Sequence, residues 1–329
     1  MQWPIYSGGR DQALERAADA EHRASERDIE STRADLRLET TRAFWALVTA
    51  TDAVHVVRES VTRIEKQLND VRAQFDAGFL PPNDVSTVEA RVSREQSLLI
   101  DAENRRDAAR AELARLIGAP LDAAFEPDAA LEQTETGTPP VASAAAARMA
   151  RADRQALALR AEAASDRIDS AKAGFRPSLA IIGGYDYARP NPKIFPREDE
   201  WKPAWDVGVN VSWSLWNGGR TAAEVAEAQS LAAAASERLA EFDTVIGLEV
   251  RQRQLDLDSA RAQIAPTTAG VNSSIEARRV VQERFAAGVA TSTDLLDAQQ
   301  DQLEAELQRT RALADVRLAE ARLARALGK

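Results

Sequence analysis

The sequence predicts a mainly α fold, in which long antiparallel coiled-coil helices are joined to one short β segment. Three observations predict this fold. The chain repeats itself at a fixed offset of 210 residues, its long tracts are rich in Ala, Glu, Arg, Leu and Gln, and two short segments alternate apolar with polar residues. Because the two copies keep the same lengths, we interpret the repeat as duplication of a unit whose helices must span a fixed distance.

Three pairs of segments carry the repeat, and the members of each pair lie 210 residues apart. They are residues 3–10 with 213–220, 75–78 with 285–288, and 113–118 with 323–328. Between the copies, prolines and a glycine indicate an irregular segment. The sequence therefore predicts a first structural repeat over 1–119, a linker or equatorial segment over 120–140, and a second repeat over 141–329.

The first long helix is predicted over residues 11–77, because the next strong helix breaker is Gly78. Its counterpart covers 221–287 and is predicted to begin with a capping box formed by Thr221 and Glu224. At 1.5 Å per residue, each helix would be about 100 Å long.

Shorter helices are predicted to run back along the long ones. Return helices over 84–117 and 294–327 would each be about 51 Å long, and a further helix is predicted over 141–173. The apolar positions of the first return helix follow alternating steps of three and four, with Glu95 and Arg106 at two skipped places. This spacing is typical of a coiled-coil seam.

Two segments break the helical period and are predicted as strands, near 177–188 and 204–216. In the second, odd positions from 205 to 215 are Trp, Val, Val, Val, Trp and Leu, whereas the even positions are small or polar. A membrane β-strand has about 9–11 residues, one apolar face, one polar face and aromatic residues near its ends. We therefore favour membrane strands over a soluble hairpin, with an exposed loop between them.

Composition excludes several classes of function. The net charge of −10, with Arg interleaved among Asp and Glu, leaves no cationic patch, so no nucleic-acid partner is expected. The sequence has no cysteine, which excludes thiolate metal sites, disulfides, a thiol nucleophile and a cysteine-linked lipid. His22 and His55 stand alone on predicted helices. No metal, cofactor or enzymatic activity is therefore expected.

Four segments together resemble the outer-membrane efflux protein (TolC-like) family in order and spacing. They are residues 173–185, 213–220, 284–299 and 323–328. The resemblance covers essentially the whole chain. It implies a homotrimer whose long helices form an α-barrel, and in which each protomer gives four strands to one shared β-barrel of twelve strands.

The resemblance also implies a function, a location and partners. Such proteins are passive exit ducts of tripartite efflux pumps or type I secretion systems, which export small molecules or proteins. They lie in the lipid of the outer membrane, extend into the periplasm, and join an inner-membrane transporter through a periplasmic adaptor (membrane fusion) protein.

The start of the chain departs from the family pattern. The counterpart of residue 141 would lie about 70 residues before Met1, and residues 3–6 are all that corresponds to one strand of the first copy. Residues 1–6 also lack the basic start and the apolar stretch of a signal peptide. We expect an N-terminally incomplete form, with the signal peptide absent from this chain.

The resemblance places an acidic ring at the periplasmic entrance of the duct. Asp294 and Asp297 match the family's ring positions, where carboxylates from three protomers hold cations. Asp294 could equally cap the following helix, and Asp84, its equivalent in the first copy, is predicted to be a cap.

Other matched residues lie at turns. The family's adaptor-docking tips match Gly78, Phe79, Leu80, Gly288 and Val289. Structural turns between strand and helix are predicted at Gly8, Gly9, Gly218 and Gly219.

A second hypothesis is a soluble periplasmic coiled-coil adaptor or scaffold protein. It agrees with the missing signal peptide and the incomplete set of strands. An adaptor, however, should carry glycine-rich β-domains around one helical hairpin, whereas this chain has two hairpins and one pair of strands between them. The sequence therefore favours the channel.

Overall fold

The structure is a computed structural model that describes residues 1–131 and 143–329. The fold is mainly α, as predicted. In chain order the elements are β1 (Gln2–Tyr6), α1 (Arg10–Asp76), α2 (Pro82–Ile117), α3 (Ala144–Ala150), α4 (Ala152–Lys172), β2 (Ser178–Ala188), β3 (Lys202–Ser212), α5 (Arg220–Ala286) and α6 (Ser292–Ala326). None of the helices in the described part of the chain has the length and apolar character of a membrane-spanning helix.

The sequence repeat is matched by a repeat of the backbone. α1 and α5 have 67 residues each, and eight glycines with positive φ form four pairs at the same offset of 210. The pairs are Gly8 with Gly218, Gly9 with Gly219, Gly78 with Gly288, and Gly118 with Gly328. The repeat boundaries at 119 and 141 stay a prediction, and residues 132–140 of the predicted linker lie outside the described residues.

Packing divides the chain into two units. Residues 1–31 and 151–245 form one, here called the strand unit, and residues 32–150 and 246–329 form the other, here called the tip unit. In the strand unit, α4 packs on the first turns of α1 through Ala17, Ala20 and Ala163, which are all buried. Alanine has no side chain beyond Cβ, so the two helices approach closely. Ion pairs such as Arg16 to Asp166, at 3.0 Å, flank this contact.

The strand unit also holds an open, antiparallel, three-stranded sheet in the order β1-β2-β3. β2 and β3 pair along their whole length, from Ser178 opposite Ser212 to Ala188 opposite Lys202, whereas β1 pairs only with residues 179–182. The second strand was predicted to reach residue 216 but ends at Ser212, because β2 offers no partner before Ser178. Beyond it, the Trp213 indole instead donates a hydrogen bond to the Phe175 carbonyl at 3.0 Å.

The two faces of the β2–β3 pair differ in chemistry. Trp205, Val207, Val209 and Val211 lie on one face and are 61–75% exposed. Tyr185 lies opposite Trp205 on that same face. Asp206, Asn210 and Ser212 lie on the other face. The alternation predicted from the sequence is therefore present in the strands.

Two further predictions about helices were wrong. The helix predicted over 141–173 is broken at Arg151, whose backbone is extended (φ −70°, ψ 123°) between α3 and α4. The predicted capping box at Thr221 is absent, because α5 begins one residue earlier and the Thr221 hydroxyl accepts a 2.5 Å hydrogen bond from the Asn217 amide.

The paired glycines at the strand-to-helix turns give the first testable prediction. Gly8 and Gly218 have φ values of 71° and 67°, but a Cβ on Gly8 would lie 2.8 Å from the Ala173 carbonyl oxygen, whereas nothing lies within 4 Å of one on Gly218. Gly218→Ala should lower the free energy of unfolding by about 1–2 kcal/mol, the cost of left-handed backbone. Gly8→Ala should cost about 2–5 kcal/mol, since the clash adds to that strain.

Urea unfolding followed by circular dichroism, at matched protein and detergent concentrations, measures the difference between these two variants. Equal losses of stability in Gly8→Ala and Gly218→Ala would show that the turn around Gly8 relaxes to accept a methyl group.

Candidate functional site

The two turns that join the long helices to their return helices have the same geometry. In the first, the Gly78 amide donates to the Phe75 carbonyl at 2.8 Å, and the Phe79 amide donates to the Gln74 carbonyl at 2.9 Å. In the second, Gly288 and Val289 make the equivalent bonds, at 2.9 and 2.8 Å. Residues 77–81 and 287–291 are here called the tips. Positive φ at each glycine allows the chain to reverse directly after the helix.

Each tip presents one exposed apolar side chain and partly buries the next one. Phe79 is 80% exposed and Val289 is 67% exposed. Leu80 and Ala290, which directly follow them, pack against one apolar cluster that serves both tips. This tip cluster consists of Ile64, Leu68, Val71, Val88, Val92, Phe285, Leu295 and Leu296. The cluster fixes both tips in position while Phe79 and Val289 remain free for contact.

Asp294 closes a capping box at the start of α6. Its carboxylate accepts hydrogen bonds from the Thr291 amide and from the Thr291 hydroxyl, both at 2.8 Å, and the Thr291 hydroxyl accepts one from the Asp294 amide at 3.2 Å. The bond from the Thr291 amide, followed by that from its hydroxyl, lowers the pKa of Asp294 below its ordinary value. The cap function that the sequence offered for Asp294 is therefore present.

Asp297 and Asp84 differ from Asp294 in their surroundings. Asp297 lies one turn further along α6, is exposed, and makes no ion pair or hydrogen bond through its side chain with any described residue. Asp84 was predicted to be a cap, but the N-cap of α2 is Pro81, which has no amide hydrogen to donate. The Asp84 carboxylate instead accepts a 3.3 Å bond from the Asn83 amide.

Beside the tip cluster, buried polar side chains interrupt the apolar contact between α1, α2 and α6. Glu95, Gln67, Gln299 and Gln302 are between 1% and 8% exposed, and are here called the polar layer. On α6, the two glutamines lie between Leu296 of the tip cluster and Leu303 of a second apolar cluster. Glu95 was predicted at a position that the apolar pattern of the seam skips. Its spacing of three residues from Val92 already placed it on the buried face.

Several atoms of the polar layer have no hydrogen-bond partner among the described residues. They are both amide atoms of Gln67, Oε2 of Glu95, and Oε1 of Gln299 and Gln302. Arg91 lies 3.0 Å from the other Glu95 oxygen and also donates to Gln300 on α6. Over residues 1–131 and 143–329, no group of three His, Cys, Asp or Glu side chains could hold a metal ion.

Comparison with known sequences identifies related proteins. The family described as "Outer membrane efflux protein" matches residues 1–119 and 144–329. The outer membrane protein TolC of Vibrio cholerae is 26% identical over 325 residues, which cover 94% of this chain and 72% of that protein. The alkaline protease secretion protein AprF of Pseudomonas aeruginosa is also 26% identical, over 91% of this chain and 62% of that protein.

Comparison with solved structures supports the fold. The outer membrane protein VceC of Vibrio cholerae superposes with a TM-score of 0.84 at 21% identity, over 99% of this chain and 78% of that one. The fold class predicted from the sequence is confirmed by this likeness. Because the family match covers well over half of the residues, the chain belongs to the outer membrane efflux protein family.

Proposed function

We propose that the protein is a passive exit duct in the outer membrane, and that three copies form it. One observation carries the proposal: the β2–β3 pair exposes an unbroken apolar face ending in Trp205, beside a polar opposite face. An apolar face of this kind is stable against lipid, and the polar face suits a water-filled lumen. The second hypothesis, a soluble scaffold, would leave Trp205 and the three valines of that face in water.

The open sheet supports assembly from several copies. Only residues 179–182 of β2 face β1, and the outer edge of β3 has no strand beside it in the described part of the chain. Unpaired backbone groups in lipid cost several kcal/mol each, so a strand edge in a membrane must be paired. Strands contributed by other copies would pair these edges in a closed barrel.

The two tips provide a surface for the periplasmic adaptor. Phe79 and Val289 are exposed, and the shared tip cluster holds both turns, so an amphipathic helical hairpin could contact both at once. We assign Gly78, Leu80 and Gly288 the supporting role of shaping these turns. The duct itself catalyses no reaction, and the inner-membrane transporter joined through the adaptor supplies the energy of transport.

Asp297, together with Asp294, is proposed to form the cation-binding ring at the periplasmic entrance. In a trimer each position would supply three carboxylates around one axis, which attract multivalent cations. Asp297 has no competing partner among the described residues, and Asp294 stays ionised because its pKa is lowered.

We expect Asp297→Asn with Asp294→Asn to abolish block of the channel by a multivalent cation in planar bilayers, with at least a tenfold rise in the blocking concentration, about 1.4 kcal/mol. Asparagine retains an oxygen that can accept the Thr291 amide hydrogen, so the cap should survive. Asp84→Asn, at the equivalent position in the first copy, is the matched control and should leave block unchanged. Unchanged block in the double variant would exclude these two residues from the ring.

Fractionation of cells that produce the protein tests the assembly. We expect it in the outer-membrane fraction, and cross-linking of detergent extracts should give a trimer. A monomer in the soluble periplasmic fraction would support the scaffold hypothesis instead.

A further inference from the structure

Two carboxylates lie on the polar face of the β2–β3 pair near the connecting loop. Asp206 lies directly opposite Gly184, and Asp186 lies opposite Ala204, whereas the pair between them, Tyr185 and Trp205, points to the apolar face. Because side chains alternate along a strand, Asp186 and Asp206 are on the same face. β2 follows α4 and β3 leads into α5, so the loop joins the strand ends that lie away from the helices.

Lys193 of the loop folds back onto this face and binds both carboxylates. Its Nζ lies 2.5 Å from Asp186 Oδ2 and also donates to Asp206 Oδ1. These two bonds raise the pKa of Lys193, with Asp186 the larger cause, so the lysine is fully charged at neutral pH.

The surrounding loop is built to hold Lys193 in this position. Asn191 is 3% exposed, and its amide donates to the carbonyls of Lys202, at 2.7 Å, and Asp186, at 3.4 Å. Its side-chain oxygen accepts the Lys193 backbone amide at 2.9 Å. Asn191 therefore ties both strand ends to the backbone of the lysine.

The lack of a side chain at Gly184 leaves the space that the Asp206 carboxylate occupies. A Cβ at position 184 would lie 2.8 Å from Asp206 Oδ1, so any larger residue would push that carboxylate away. The glycine lets the carboxylate lie across the neighbouring strand, on the side where Lys193 approaches.

We propose that Lys193 determines the ion preference of the channel exit by neutralising these carboxylates. The inference rests on the proposed function, in which the polar face lines the lumen and the loop lies at the outer end. From this cluster alone, each protomer would contribute two carboxylates and one ammonium group, leaving one uncompensated negative charge. Without Lys193 two would remain, and three-fold symmetry would repeat the change around the exit.

The expected size of the effect follows from simple electrostatics. A unit charge about 10 Å from an ion path in water changes the local cation concentration by a factor of about two. At 0.1 M salt this effect is screened over about 10 Å, so the recordings should be made at low ionic strength.

Reversal potentials under a potassium chloride gradient in planar bilayers test the proposal. Lys193→Met should raise the ratio of cation to anion permeability by about twofold or more. Asp206→Asn should lower this ratio, and Lys193→Arg should preserve it.

Arg197→Met is the matched control, because it removes one positive charge from the same loop. Arg197 is exposed, and no described residue holds its side chain against the polar face, so solvent and salt screen its charge and its replacement should shift the ratio less than Lys193→Met does. Equal shifts in these two variants, no shift in Lys193→Met, or a rise in Asp206→Asn would each overturn the proposal. A wild-type protein without conductance would instead refute the proposed function.

Discussion

Replacement of Arg91 by alanine is expected to lower the free energy of unfolding by about 3–5 kcal/mol. Arg91 is the only cation placed against Glu95 among the described residues, and the Glu95 side chain is 2% exposed. Removing the guanidinium leaves a buried carboxylate without a counter-charge. Urea unfolding followed by circular dichroism measures the loss.

Two further variants separate the contribution of the charge pair to stability from that of packing. Glu95→Leu removes the buried charge and keeps much of the volume, but it leaves the Arg91 guanidinium without its partner. Because the Arg91 side chain is 17% exposed and Glu95 is 2% exposed, this variant should lose less stability than Arg91→Ala. Arg91→Ala combined with Glu95→Leu should regain most of the stability that Arg91→Ala alone loses. A single Arg91→Ala variant within about 1 kcal/mol of the wild type would contradict the burial of this pair.

Placing aspartate at both tips is expected to abolish binding of the adaptor. Phe79→Asp with Val289→Asp replaces the two exposed apolar side chains by charges that would have to be desolvated in the complex. Central apolar anchors of an interface commonly contribute 2 kcal/mol or more each, so affinity should fall by about a hundredfold or more. Binding of the purified adaptor, followed by surface plasmon resonance, measures the loss.

The control for the tip variants is Phe195→Asp. Phe195 is 94% exposed and lies in the loop between β2 and β3, so it receives the same kind of substitution in the strand unit. All three positions are exposed, and the variants should unfold at the same urea concentration as the wild type. If the tip variant keeps wild-type affinity, or if Phe195→Asp loses as much, the tips are not the docking surface.

Helix lengths could be predicted from the sequence because glycines end the helices. The first long helix was predicted over 11–77 and runs from Arg10 to Asp76, directly before the turn at Gly78. The strands were predicted because one strand face carries Trp and Val while the other carries small and polar residues. Local signals of this kind do not depend on which elements become neighbours.

Features that depend on tertiary contacts could not be predicted in this way. No glycine or proline adjoins Arg151, so the sequence gives no local sign that the helix breaks there. The Arg151 guanidinium lies over the Phe242 ring, at 5.6 Å from its centre, and pairs with Asp153 at 2.7 Å. The contact with Phe242 joins residues far apart in the sequence and forms only once α5 lies beside Arg151.

Predictions about the tips were mixed for a similar reason. A cap function was one of two roles predicted for Asp294, from its place at the start of a predicted helix, and in the structure Asp294 caps α6 together with Thr291. The same argument failed for Asp84, because Pro81 cannot donate the reciprocal hydrogen bond. Glu95 was predicted only as a position that the apolar pattern skips, and its burial depends on Arg91, which pairs with it at 3.0 Å.

In the proposed function, the protein forms a water-filled duct through the outer membrane. Planar-bilayer recording of the protein purified from outer membranes tests it most directly. We expect discrete, stepwise conductance increases as single trimers insert. A protein that is soluble without detergent and that produces no conductance steps would contradict it.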